Sequence, residues 1–284
     1  MLLAVDVGNS SISLGLFETP DKNETGADTQ GTRPALLWTA KVAADPQRSS
    51  DEYRMMLGLL LRDGGFAPSE IDAVSLGSVV PALTHTLRDA IGNLCRGTAG
   101  TAVPIRTVSA GIRTGLILQV EDSSQLGADI VTGAAAAVWL YGTPVAVLDF
   151  GTATVLSCVD ANHTLLGVTI APGIQTSLDG LRGSAALIPH VELHAPESVL
   201  GRSTADSVRS GVVYGTAAMA DGLIERALQE SHLPSDTPVV VTGGLTSIAL
   251  PFCRHRMHRE DALTLYGLYR VYALTARREA QRKK

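Results

Sequence analysis

Apolar runs that stop at a single carboxylate set the layout of this chain. Leu2-Leu3-Ala4-Val5 runs into Asp6, and Val145-Ala146-Val147-Leu148 runs into Asp149. An apolar stretch with no polar interruption reads as a strand buried on both faces. In both places an Asp-x-Gly follows, Asp6-Val7-Gly8 and Asp149-Phe150-Gly151, then small polar residues and a second apolar stretch, Ile12 to Phe17 and Val155 to Val159. One such hairpin is an ordinary turn, because Asp and Gly are favoured turn residues. Its recurrence points to a shared role. Glycine lets a backbone approach a ligand, Ser and Thr offer hydroxyl and N–H donors to phosphate oxygens, and the carboxylate can hold a cation.

The pattern around each hairpin predicts similar halves. Leu36 to Val42 reads as a third strand, and Ser49-Ser50-Asp51-Glu52 opens a helix with Tyr53, Met56, Leu57, Leu60 and Leu61 at helical spacing. Ile71 to Val80 is a buried strand, Pro81 starts a helix to about Cys95, and Ile105 to Val108 closes the half. In the second half a helix from Ala128 to Leu140 precedes the hairpin, and Leu165 to Ile170 is its third strand, broken by Pro172-Gly173 before a further helix. Ser203-Thr204-Ala205-Asp206 caps a long helix through Glu230. Pro238 to Thr242 is a strand ending at Gly243-Gly244, and a last helix runs from about Asp261 to Arg278. Three hairpin-connected strands followed by alternating helices and strands predict an α/β protein of two ribonuclease-H-like (actin-like ATPase) domains, residues 1–125 and 126–284, with a ligand cleft between them. The glycine turns after Asp149 and Thr242 fall at carboxyl ends of strands, where α/β sheets bind ligands.

Composition narrows the classes. The chain has 284 residues, 45% hydrophobic and 18% charged, enough for two cores. A net charge of −5 argues against a nucleic-acid partner, and Arg277, Arg278, Arg282, Lys283 and Lys284 read as the solvated end of a helix. Cys95, Cys158 and Cys253 have neither disulfide nor zinc spacing, no apolar run reaches membrane-span length, and Asp6 replaces a basic leader, so a cytoplasmic, non-membrane protein is expected. The histidines lack metal-ligand spacing. Arg254-His255-Arg256-Met257-His258-Arg259 reads as a solvated loop or an anion site, and Thr19 to Pro34 and the Gly/Ser stretch 97–101 as exposed loops.

The duplicated hairpin resembles that of the acetate and sugar kinase, Hsp70 and actin superfamily. Within it the chain resembles the type III pantothenate kinases over nearly its whole length. The resemblance rests on Asp6 to Ser10, Ser78-Val79-Val80-Pro81, Leu126-Gly127-Ala128-Asp129, Asp149 to Thr154, Ile170-Ala171-Pro172-Gly173, Ser203-Thr204 with Ser210 to Gly215, Thr242-Gly243-Gly244-Leu245 and Leu263 to Leu268. Each is weak alone; in this order they are specific. The resemblance implies phosphorylation of pantothenate by ATP with Mg2+, the first step of coenzyme A synthesis. Asp6-Val7-Gly8-Asn9-Ser10-Ser11-Ile12-Ser13 matches the family's first phosphate hairpin, with Asp6 near the magnesium, and Thr152 matches an ATP contact. Asp149 matches a monovalent-cation ligand for K+ or NH4+. Asp129 matches the catalytic base, and Gly127, Ala128, Asp129, Ile130 and Val120 occupy the substrate positions. Thr204 matches a residue reaching the pantothenate of a neighbouring subunit, which implies a homodimer.

Two positions depart from the family: Ile130 stands where the family has Arg, and Val120 where it has Tyr. They keep open a nucleotide-binding regulator without catalysis, or a kinase for another small alcohol. From the residues alone Asp129 is equally a helix-cap carboxylate, since Asp suits a helix N-terminus.

Overall fold

The computed structural model describes residues 1–20, 33–96, 102–108, 112–122, 126–185 and 187–282. The expected loops at 19–34 and 97–101 fall largely outside these residues. In chain order the elements are β1 (Leu2–Val7), β2 (Ser11–Phe17), β3 (Leu36–Ala43), α1 (Ser50–Asp63), β4 (Ala73–Ser78), α2 (Pro81–Leu94), β5 (Ile105–Thr107), β6 (Ile117–Leu118) and α3 (Ala128–Tyr141). Then follow β7 (Val145–Phe150), β8 (Ala153–Val159), β9 (Thr164–Pro172), α4 (Ile174–Ser184), α5 (Thr204–Glu230), β10 (Val239–Thr242), α6 (Thr246–Ala249), β11 (His258–Arg259) and α7 (Leu263–Arg282).

The chain forms two compact units, each with its own sheet. The first comprises Met1–Leu116, Glu121–Leu140 and Leu263–Lys284; the second comprises Ile117–Val120 and Tyr141–Ala262. In the first, the sheet order is β3-β2-β1-β4-β5, with β1 to β3 antiparallel and β4 and β5 parallel to β1. Alternation along β1 divides its side chains between two layers. Leu3, Val5 and Val7 join Leu57, Leu61, Leu83 and Leu87 of α1 and α2, while Leu2 joins Tyr272 and Ala276 of α7. Helix α1 starts at the expected capping box: Ser49 Oγ accepts from Glu52 N–H at 3.3 Å, and the Glu52 carboxylate accepts from Ser49 N–H at 2.8 Å.

The second unit repeats the plan as β9-β8-β7-β10-β11, with β6 added beside β9. Its core gathers Ala146, Leu148 and Phe150 of β7 with Val212, Ala220, Ile224 and Leu228 of α5. The repetition extends to single residues. Strands β1 and β7 share one burial pattern along their length, and β2 and β8 share another.

The compact units divide the chain differently from a cut at residue 125. Both α3 and α7, placed in the second half from sequence, belong to the first unit, α7 packing on its sheet and α3 against α7, and Ile117-Leu118 pairs with β9 of the second. The second face of β1 and β2 is apolar and needs a cover. A Cβ built on Gly15 would stand 3.0 Å from Leu265 Cδ1, and one on Gly77 3.0 Å from Leu268 Cδ2, so the sheet is stripped of side chains where α7 crosses it. Pattern predicts that a helix has an apolar face, not which sheet receives it. The basic stretch holds a second unforeseen strand, since His258 and Arg259 pair with Val240 and Val241 at the sheet edge. Among the described residues no helix is long and apolar enough to cross a membrane.

Helices α3 and α7 touch backbone to backbone: a Cβ on Gly267 would lie 2.0 Å from the Thr132 carbonyl oxygen. Main-chain atoms of a packed helix cannot move aside as a side-chain tip can. Gly267→Ala is therefore expected to cost about 3 kcal/mol or more, at the upper end of overpacking effects. Chemical denaturation checks this; a midpoint equal to the parent's would mean that the two helices separate freely.

Candidate active site

The first hairpin places Asp6 half-buried at the last turn of β1, between Ser13 of β2 and Gly77 of β4. Val7 pairs with Ile12, so Gly8, Asn9, Ser10 and Ser11 make the turn, closed by Gly8 N–H donating to Ser11 O at 3.0 Å. Asn9 and Ser10 are exposed, leaving polar groups accessible beside the carboxylate. Val79 N–H donates to Val7 O at 3.0 Å and ties the end of β4 to the same turn.

Asp129, in the first turn of α3, belongs to the same unit. Position 77 carries no side chain, and Ala128 fills part of the space, its Cβ 3.7 Å from where a Cβ of Gly77 would stand. The opening of α3 thus lies over the strand neighbour of Asp6. The Asp129 carboxylate accepts from Ile130 N–H at 2.8 Å. Burial raises its proton affinity above the usual carboxylate range, opposed by that N–H and its own. A cap on the helix rim would stay solvated and acidic; a carboxyl held against desolvation suits a base. Thr132 Oγ donates to Ala128 O at 2.7 Å and firms the first turn. Gly127, Ala128 and Ile130 are partly buried around it. Val120 lies in the second unit, just past β6, where Gln119 N–H donates to Leu165 O at 3.1 Å.

The second hairpin is one residue tighter. Phe150 pairs with Thr154, leaving Gly151, Thr152 and Ala153 in the turn, with Gly151 N–H donating to Ala153 O at 3.0 Å. Thr152 is exposed, and its carbonyl accepts from Gly173 N–H at 3.2 Å and Thr176 Oγ1 at 2.7 Å, so the start of α4 clamps the turn. A Cβ on Gly173 would lie 2.4 Å from the Gly151 and Thr152 carbonyl oxygens. Asp149 pairs with Thr242 of β10, and Gly243 follows with φ of +105°. A Cβ there would stand 2.4 Å from Asp149 Oδ1 and 2.5 Å from Phe150 O; one on Gly151 would stand 3.2 Å from the same Oδ1. Two glycines therefore leave a cradle around an Asp carboxylate oxygen with a carbonyl oxygen beside it. Hard cations take such oxygen donors.

Thr204 is the exposed first residue of α5. Ser203 caps that helix, accepting from Asp206 N–H at 3.1 Å and donating to the Asp206 carboxylate at 2.6 Å. Ser203 and then Arg209 hold the Asp206 carboxyl below its ordinary range. The roles of Thr176 and Gly173 at the second turn were not read from sequence. Gly173 could have been suspected as a glycine after proline; Thr176 carries no such signal.

In each sheet the strand that opens the hairpin, β1 or β7, ends on Asp-x-Gly, in the strand order of a ribonuclease-H-like domain. This is the architecture of the ATP-using kinases and actin-like ATPases. Among solved structures, a protein described as a conserved Baf family transcriptional activator from Campylobacter jejuni matches with a TM-score of 0.54 at 14% identity, covering 96% of this chain and 98% of that one. The activator of the 2-hydroxyisocaproyl-CoA dehydratase from Clostridium difficile with bound ADPNP matches with a TM-score of 0.50 at 11% identity, covering 100% and 97%. Both support the fold alone. The family model for type III pantothenate kinase matches residues 2–226. Type III pantothenate kinases of Shouchella clausii and Saccharopolyspora erythraea are 36% and 38% identical, each over 96% of this chain and 98% of the relative. The chain belongs to the type III pantothenate kinase family.

Proposed function

We propose that this protein transfers the terminal phosphoryl group of ATP to the hydroxyl of pantothenate, giving 4'-phosphopantothenate at the first step of coenzyme A synthesis. The observation that supports this reading is the opening of α3, where Ala128 lies over Gly77, the strand neighbour of Asp6, and the next residue is the half-buried carboxylate Asp129.

Phosphoryl transfer asks for charge neutralisation, in-line placement and a destination for the acceptor's proton. Backbone N–H groups and hydroxyls of the Gly8 to Ser11 turn, with the Ser13 hydroxyl beside it, bind phosphate oxygens. Thr152 is an ATP contact by its match to the family, and Gly173 and Thr176 keep its turn in shape. Asp129 takes the proton from the acceptor hydroxyl. Gly127 and Ala128 approach the substrate closely. Asp6 would hold Mg2+, an ion usually bound by one or two carboxylates together with substrate phosphates. That metal, when bound, neutralises phosphate charge. Ile130 puts an apolar side chain beside Asp129, so the acid end of pantothenate is met by other groups. The experiment is an acceptor panel: with ATP and Mg2+, mass spectrometry should find phosphorylated pantothenate and not phosphorylated forms of unrelated small alcohols. Preferential phosphorylation of another alcohol would reassign the acceptor.

Asp149 would hold a monovalent cation, K+ or NH4+, a reading supported by the glycine cradle around its Oδ1. Turnover in potassium or ammonium buffer should exceed that in sodium severalfold; equal rates would count against the assignment.

The protein works as a homodimer in the cytoplasm, with Thr204 completing the partner's pantothenate site. Exposed apolar side chains in the same unit support a second copy as the cover: Ile170 is 64% exposed, Leu187 93% and Leu200 83%. Light scattering should give twice the chain mass; a fully active monomer would refute the shared site.

A further inference from the structure

The way Asp129 is held points to a residue that acts through it, and this inference rests on Asp129 being the base. A Cβ built on Gly127 would stand 2.3 Å from Asp129 Oδ1, 3.4 Å from its Cγ and 3.2 Å from Val79 Cγ1. The carboxylate folds back over the first turn of α3 into the volume a side chain at position 127 would take. Its Oδ1 accepts from Ile130 N–H at 2.8 Å, and the Gly127 carbonyl accepts from Val131 N–H at 3.3 Å, so both ends of the slot are fixed by the helix. The third wall is anchored from the sheet. Val79 N–H donates to Val7 O at 3.0 Å, Thr84 Oγ1 donates to Ser78 Oγ at 2.8 Å, and Ser78 Oγ accepts from Val80 N–H at 3.1 Å. Ser78-Val79-Val80-Pro81 thereby acquires a purpose in the site.

We propose that Gly127 is a positioning residue: its missing side chain is the slot in which the Asp129 carboxylate lies, and Val79 closes that slot from the strand side. The chemistry follows from which atoms can move. A methyl at position 127 meets the end of a flexible side chain, and a carboxylate turns aside at little cost in stability. The fold therefore survives the substitution while the carboxylate leaves its place. A base swung by an ångström or more loses its line to the acceptor hydroxyl, since misplacement of that size costs about 10²-fold in rate.

The test is a double-mutant cycle in steady-state turnover. Gly127→Ala should fold normally by circular dichroism and lower kcat by roughly 10- to 100-fold with the KM for ATP unchanged. Added to Asp129→Asn, the same substitution should lower kcat no further, because there is no base left to displace. Val79→Ala, which introduces no clash, should give a few-fold loss in kcat that also vanishes in the Asp129→Asn background, and it decides the matter should Gly127→Ala misfold. A slow Asp129→Asn enzyme beside parent-like Gly127→Ala and Val79→Ala enzymes overturns the positioning role alone. Additive losses in the double variants overturn it too, by showing that these residues act on something other than Asp129. An Asp129→Asn enzyme as active as the parent overturns the base assignment and the proposal with it.

Discussion

Asp129→Asn lowers turnover by about 10²–10⁴-fold, the usual worth of a general base, and leaves nucleotide affinity unchanged. Asn keeps the size of Asp, and its amide oxygen can still accept from Ile130 N–H, so the opening of α3 stays capped. A carboxylate serving only as a cap would be replaced without loss. The pH dependence has a fixed sign. Burial raises the folded-state proton affinity of Asp129, and a base works only when ionised, so the acid limb of kcat/KM lies above the ordinary carboxylate range. Stability runs the other way. Between the ordinary pKa and the raised one the folded chain binds the proton more tightly than the unfolded chain, so this group's contribution falls as pH rises through that window. At neutral pH the Asn variant should be no less stable than the parent. A variant with parental turnover, or an acid limb at the ordinary carboxylate pKa, would remove Asp129 from the chemistry.

Asp6→Asn removes magnesium-dependent turnover, with a loss of at least about 10²-fold, comparable to deleting one preorganised electrostatic group. Strand β1 is held by backbone ladders to β2 and β4, and Leu2, Val5 and Val7 stay buried, so the fold does not depend on the charge. The melting temperature should change little. Rate against magnesium concentration separates two outcomes: a variant rescued by high Mg2+ has a weakened site, and one with unchanged rate at every concentration shows that Asp6 is only a turn residue.

Both hairpins were legible because their strands are continuous apolar runs and their ends carry chemistry at fixed spacing. The identical burial of β1 and β7 is the physical form of that repeat. The difference in turn length was hidden, since Asp-x-Gly aligns in both copies while the pairings Val7 with Ile12 and Phe150 with Thr154 depend on the closed ladder. Helices α3 and α7 are read as helices of the half 126–284, whereas both fall in the first compact unit, because an apolar stripe does not name its partner. Two-residue strands such as Ile117-Leu118 and His258-Arg259 carry no periodicity to read. The Asp129 position came from motif order, whereas its slot beside Gly127 and Val79 is made by residues brought together from separate elements.

The most direct measurement is ADP release by the purified protein with ATP, Mg2+ and K+, with and without pantothenate, alongside quantitation of the phosphorylated product. ADP release that requires pantothenate, with one 4'-phosphopantothenate formed per ADP, is the expected result. ADP release indifferent to pantothenate, or none at saturating pantothenate, would contradict the kinase assignment.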